Sequence, residues 1–95
     1  MSLYKLKFTK KSKKSFDKLD KSIKIQFQRK LKERLENPIL LSAKLSGYEN
    51  IYKIKLRNSG FRLVYEVQES EIVVLVLKVG KREKFYDALE QLIEK

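Results

Sequence analysis

Six basic side chains set the chemistry to be explained. Along residues 51–57 (IYKIKLR) the cations Lys53, Lys55 and Arg57 alternate with the apolar Tyr52, Ile54 and Leu56. Side chains alternate across a strand, so the three cations share one face and the apolar residues the other. Arg62 follows the turn Asn58-Ser59-Gly60, and hairpin pairing brings it beside Lys55 or Lys53. Lys81 and Arg82 end the next strand, where a guanidinium can be aimed back over the same surface. Neighbouring like charges destabilise one another, a cost that a bound polyanion removes. The bland alternative is a face that is simply wet.

The chain contains no histidine and no cysteine. This excludes a Ser-His-Asp triad, imidazole acid–base catalysis, thiolate nucleophiles, disulfides and the usual zinc sites. A cationic surface still suits one reaction, because RNA carries its own nucleophile, the ribose 2′-OH. Cleavage then needs a base for that hydroxyl, charge stabilisation for the phosphorane and a proton for the 5′ leaving oxygen. Clustering lowers lysine pKa values, which makes one of the strand lysines a candidate base. The planar arginine fork donates two bonds to phosphate oxygens. Tyr86 can stack on a nucleobase or, equally, belong to a core-packing helix. This chemistry calls for no metal and no cofactor.

The elements that must position these residues follow from periodicity. Residues 3–8 (LYKLKF) alternate as a half-buried strand does. Thr9 can cap a short helix running through Phe16 and Leu19, and Asp20 a second over 21–36. In the second, Ile23, Phe27, Leu31 and Leu35 recur every four residues and form one apolar face. Asn37-Pro38 ends it, and the short interhelix loop favours a helical hairpin. Residues 39–50 connect to three strands, 51–57, 61–67 and 72–79. Gly60 supplies positive φ in the first turn, and residues 68–71 form the second. The almost wholly apolar 72–79 (IVVLVLKV) reads as a central strand covered on both faces, broken by Gly80. Residues 83–94 fit a C-terminal helix. The expectation is a single α+β domain over 1–95: an N-terminal strand and helical hairpin packed on an antiparallel three-strand meander, with a C-terminal helix.

Composition agrees. The 95 residues carry 23 Lys+Arg against 12 Asp+Glu, a net charge of +11, which favours a polyanionic partner. The excess sits in residues 1–36, with 13 basic and 4 acidic residues. Lys10, Lys11, Lys13, Lys14, Lys18 and Lys21 are candidate contacts to RNA phosphates, with Arg57 and Lys81 beside the strand cluster. A solvated lysine-rich surface explains the helical lysines as well. No apolar run is long enough for a transmembrane helix and no signal core opens the chain, so a cytoplasmic location without membrane attachment is expected.

The stretch YKIKLRNSGFRLVYEV (52–67), preceded by AKLSG (43–47) and followed by LVLKVGKRE (75–83), resembles the RelE toxins of bacterial and archaeal toxin–antitoxin pairs. The likeness extends to the KKSKKSFDKLDKSIK hairpin and the ENP helix end. It implies a ribosome-dependent mRNA endonuclease that enters the ribosomal A site and cuts the exposed codon. It also implies a cognate, RelB-like antitoxin whose complex with the toxin represses its own operon by binding operator DNA. By position, Lys53 and Lys55 match the family's strand lysines with phosphate-binding and base or charge-stabilising roles. Arg62 matches the arginine on the scissile phosphate, and Arg82 the one assigned to transition-state stabilisation or proton donation. Tyr86 matches the C-terminal tyrosine that stacks on a base, although it follows Arg82 at a shorter interval than in the best-known members. The main rival is a ParE-like toxin, which shares the fold and binds DNA gyrase without cleavage chemistry. A non-catalytic RNA-binding domain is the other.

Overall fold

The computed structural model describes residues 3–57 and 59–81. The expected C-terminal helix over 83–94, with Arg82 and Tyr86, lies outside the described residues, as does Asn58 of the first turn. The element order is β1 (Lys5–Phe8), α1 (Lys10–Asp17), α2 (Lys21–Glu36), a short 3-10 turn (Leu41–Ala43), β2 (Ile51–Lys55), β3 (Phe61–Gln68) and β4 (Val73–Lys81). One sheet holds all four strands in the order β1-β4-β3-β2. The meander β2-β3-β4 is antiparallel, and β1 adds alongside β4 in parallel, so the sheet is mixed.

Local signals place the helices. The Thr9 hydroxyl accepts from the Ser12 backbone N–H at 3.1 Å and caps α1. Asp20 occupies the cap position of α2 but makes no side-chain cap bond there, so its placement is all that the capping expectation got right. Ile23, Phe27 and Leu31 of α2 are buried against one sheet face with Phe16 of α1. That face presents Tyr52 and Ile54 from β2 with Leu56 just after it, Leu63, Tyr65 and Val67 from β3, and Val74, Val76 and Val79 from β4. Fully burying a side chain such as Phe27 or Leu31 contributes roughly 1.5–3 kcal/mol. Ser12, the buried polar residue of α1, donates its hydroxyl to the Val76 carbonyl at 2.8 Å and ties the helix to β4. The opposite sheet face carries a smaller cluster of Ile51, Val64 and Leu77, covered by Leu45 and Tyr48 of the connector.

Two strand expectations change. Gly80 does not break β4 but lies inside it, paired with Arg62. A β-bulge also interrupts the strand: Val64 pairs with Lys78 and Tyr65 with Val76, which leaves Leu77 as the extra residue. Before the bulge the even-numbered Val74 and Val76 face the helices. After it the odd-numbered Val79 does. Gly60 adopts φ +78°, as the hairpin turn requires.

Candidate functional site

The β2–β3 register builds the site. Lys55 pairs with Arg62 and Lys53 with Val64, on the sheet face away from the helices. Directly opposite residues have Cβ atoms about 4.5–5.5 Å apart. Continuing into β4, Arg62 faces Gly80 and Val64 faces Lys78. Two rows therefore cross the sheet, Lys53–Val64–Lys78 and Lys55–Arg62–Gly80. The first is cationic at both ends with an apolar middle. The second ends at Gly80, which has no side chain to crowd the arginine. Lys53, Arg62 and Lys78 are partly buried, while Lys55 is exposed.

β2 is the outermost strand, and its free edge is bound down at several points. The Leu45 N–H donates to the Ile51 carbonyl at 2.9 Å, and Lys44 bridges to Tyr52. Arg34, on α2, donates from Nη1 to the Lys53 carbonyl at 3.1 Å and to the Tyr65 hydroxyl at 2.9 Å. Tyr65 in turn donates to the Pro38 carbonyl at 2.8 Å. One arginine thus fixes the backbone of the strand carrying Lys53 and Lys55. Burial raises the Tyr65 hydroxyl above its ordinary value, against the lowering effect of the Arg34 guanidinium. Around this edge lies a cleft of about 300 Å³ whose lining includes Lys30, Arg34, Lys53, Lys55 and Arg57. Lys30 and Arg34 carried no site assignment from the sequence. Their spacing of four residues on α2 was the available signal.

The remaining candidates fall elsewhere. Lys81 stands on the helix side of the sheet, its Nζ 5.4 Å from the Phe61 ring centroid, because the Leu77 bulge inverts the strand's alternation before that point. It does not join Lys53, Lys55 and Arg62. Lys10, Lys11, Lys13 and Lys14 line a groove with Leu6 and Phe8 at the β1 end of the sheet, the opposite end from β2. Lys13 also pairs with Asp17 at 3.1 Å. Lys18, just after α1, and Lys21, the first residue of α2, are both exposed. Among the described residues, no group of His, Cys, Asp and Glu could hold a metal ion, and no helix is long and apolar enough to cross a membrane.

A small mixed sheet with helices on one face and a row of cationic side chains on the other defines a class of compact, basic α+β proteins. The family is specified by comparison. Residues 6–86 match the family model described as the ParE toxin of type II toxin–antitoxin systems. A RelE-like toxin protein of Escherichia coli is 51% identical over 81 residues, 85% of each chain. The Escherichia coli protein named mRNA interferase toxin RelE is 46% identical over 81 residues, again 85% of each. The structure of the isolated Escherichia coli RelE toxin superposes with a TM-score of 0.81 at 41% identity, covering 95% of this chain and 99% of that one. A chain from the intact Escherichia coli RelBE toxin–antitoxin complex gives 0.82 at 45% identity, covering 84% and 98%. This chain belongs to the RelE family of type II toxins, within the RelE/ParE superfamily.

Proposed function

We propose that this toxin is an mRNA endonuclease that cuts the codon exposed in the ribosomal A site. The observation that carries the reading is the Lys53, Lys55 and Arg62 cluster, three cations from paired strands on one sheet face. Relatives named mRNA interferase support it. In the reaction the ribose 2′-oxygen attacks the adjacent phosphorus and the P–O5′ bond breaks. The 2′ proton passes to a base, Lys53 or Lys55. The products are a 2′,3′-cyclic phosphate and a 5′-hydroxyl. Arg62 binds the scissile phosphate and stabilises the charge that develops on its oxygens. Arg82 is assigned to transition-state stabilisation or protonation of the leaving oxygen, and Tyr86 to stacking on a base. The helical lysines, from Lys10 to Lys21, contact ribosomal RNA phosphates.

The partner is a RelB-like antitoxin, as the RelBE complexes of relatives suggest, and operator DNA is bound only by the toxin–antitoxin complex. The proposed action on ribosomes implies a cytoplasmic location.

The test is primer extension on a defined mRNA in a programmed ribosome with an empty A site, beside a ribosome-free control. Wild type is expected to cut only within the A-site codon and only with ribosomes. Arg62→Ala is expected to lower the rate about 10²–10³-fold, the usual effect of removing one transition-state donor, with Arg82→Ala doing likewise. A folded wild-type protein that leaves the mRNA intact would refute the nuclease reading. The ParE name of the matching family model keeps one second reading, gyrase inhibition, and a supercoiling assay on the same protein decides it.

A further inference from the structure

We propose that the cleft around the edge of β2 is a second phosphate subsite, where Lys30, Arg34 and Arg57 hold the phosphodiester next to the scissile one in the same RNA strand. The inference deepens the nuclease reading and rests on it. The cleft encloses about 300 Å³, and five cations from α2, β2 and the turn after β2 line it, completed by Ser42 and Ala43. No carboxylate is among these lining residues. Lys53 and Lys55 line it too, so it is continuous with the strand cluster rather than a separate patch. Alternate residues on a strand are about 6.6 Å apart, a step comparable to that between neighbouring phosphates in an extended RNA strand. Lys53 and Lys55 thus form two rungs along which a backbone can lie, and Arg57 follows in the turn after β2.

Arg34 makes the subsite a built one. Both of its hydrogen bonds to the protein leave from Nη1, to the Lys53 carbonyl and the Tyr65 hydroxyl. A guanidinium has five N–H donors, so its orientation is fixed before any ligand arrives while other donors serve the cleft. Fixing a long side chain in advance lowers the cost of binding. The lining also selects the ligand class. A peptide groove needs apolar anchors, and Ala43 is the sole apolar side chain among the described lining residues. A wall of fork and ammonium donors fits phosphodiester oxygens.

The experiment uses a dye-labelled, fully 2′-O-methylated RNA 12-mer, which cannot be cut, and reads binding by anisotropy across a salt series. The variants are Lys30→Gln, Arg57→Gln and their combination. Lys32→Gln, an exposed α2 lysine outside the cleft, is the control. Each lost phosphate contact is expected to reduce the slope of log K against log salt by about 0.7, and the double variant by about 1.4. Lys32→Gln is expected to leave it unchanged. An unchanged slope in the double variant, or an equal fall in the control, overturns the subsite. A second arm places a neutral methylphosphonate beside the scissile linkage of a ribosome-bound mRNA. It should slow wild type and not the double variant. Equal slowing of both would mean that the cleft grips some other RNA, and would overturn the inference. Normal binding slopes with no cleavage by wild type would refute the nuclease reading alone.

Discussion

Replacing Tyr65 by Phe tests the hydrogen-bonded chain that holds the site's edge strand. The ring is fully buried and stacks on Tyr52 at 5.7 Å between centroids, and Phe keeps both features. What is lost is one hydroxyl with two bonds, to the Pro38 carbonyl and from Arg34. Pro38 is buried, so removing the donor to its carbonyl costs about 1–3 kcal/mol. Arg34 is partly exposed, and its freed N–H is hydrated, adding about 0.5 kcal/mol. The expected loss is about 2 kcal/mol, or roughly 8–16 °C in Tm for a domain of this size. Urea unfolding at pH 7 reads it directly. The pH dependence supplies an independent check. Burial holds the Tyr65 hydroxyl above its ordinary 10.0. As pH rises past 10 the unfolded chain releases this proton before the folded one does, so wild-type stability present below 10 falls through that window. The variant has no such proton, and the gap between the two proteins should narrow above pH 10. A difference under about 0.5 kcal/mol at pH 7, well below the cost of an orphaned buried acceptor, would refute the reasoning. So would a gap that stays constant into alkaline pH.

Two further outcomes follow from backbone geometry. Ile72 has φ +55° in the turn before β4 and is largely exposed, a conformation costing a β-branched residue about 1–2 kcal/mol; Ile72→Asn should raise the urea midpoint. Gly80 sits across from Arg62 within β4, and Gly80→Val should improve strand propensity by about 0.5–1 kcal/mol. With Arg62 in its proposed role, the same change should slow ribosome-dependent cleavage about tenfold or more, since small misplacements of a catalytic group are costly. A variant that is both more stable and fully active would show that the open position beside Arg62 has no role.

The sequence made legible whatever depends on short-range periodicity. The four-residue spacing of Ile23, Phe27 and Leu31 located α2 and its buried face. The alternation in IYKIKLR put Lys53 and Lys55 together, and the turn before Gly60 brought in Arg62. What escaped depends on long-range register. In IVVLVLKV almost every residue is apolar, so nothing in the pattern reveals that Leu77 is a bulge. That single insertion decides which face Lys81 takes. Gly80 reads as a strand breaker until its partner Arg62 is known. Arg34 lies on a helix whose many charges look alike in sequence, and only the packing of α2 across β2 distinguishes it from Lys32.

Gathering cations on one face has an electrostatic cost that the fold must offset before any RNA arrives. Two charges 4 Å apart repel by about 1 kcal/mol in water, and the site keeps that figure low by placing Lys55 on the outermost strand and Arg57 in the turn after it, both exposed. The reverse side of the same segment, 54–56, supplies the compensation. Ile54 and Leu56 are 1% and 4% exposed, each contributing roughly 1.5–3 kcal/mol by burial. The Arg34 bond to the Lys53 carbonyl then fixes the strand's position. Alternation along β2 therefore does more than separate wet from dry. It uses the burial of one face to keep the charges of the other assembled, so that in the proposed reaction little reorganisation is left for the step in which phosphorane charge develops. This makes stability and function pull against each other at Lys53 and Lys55. Neutral substitutions there relieve repulsion in the free protein while removing the attraction that the substrate would have met.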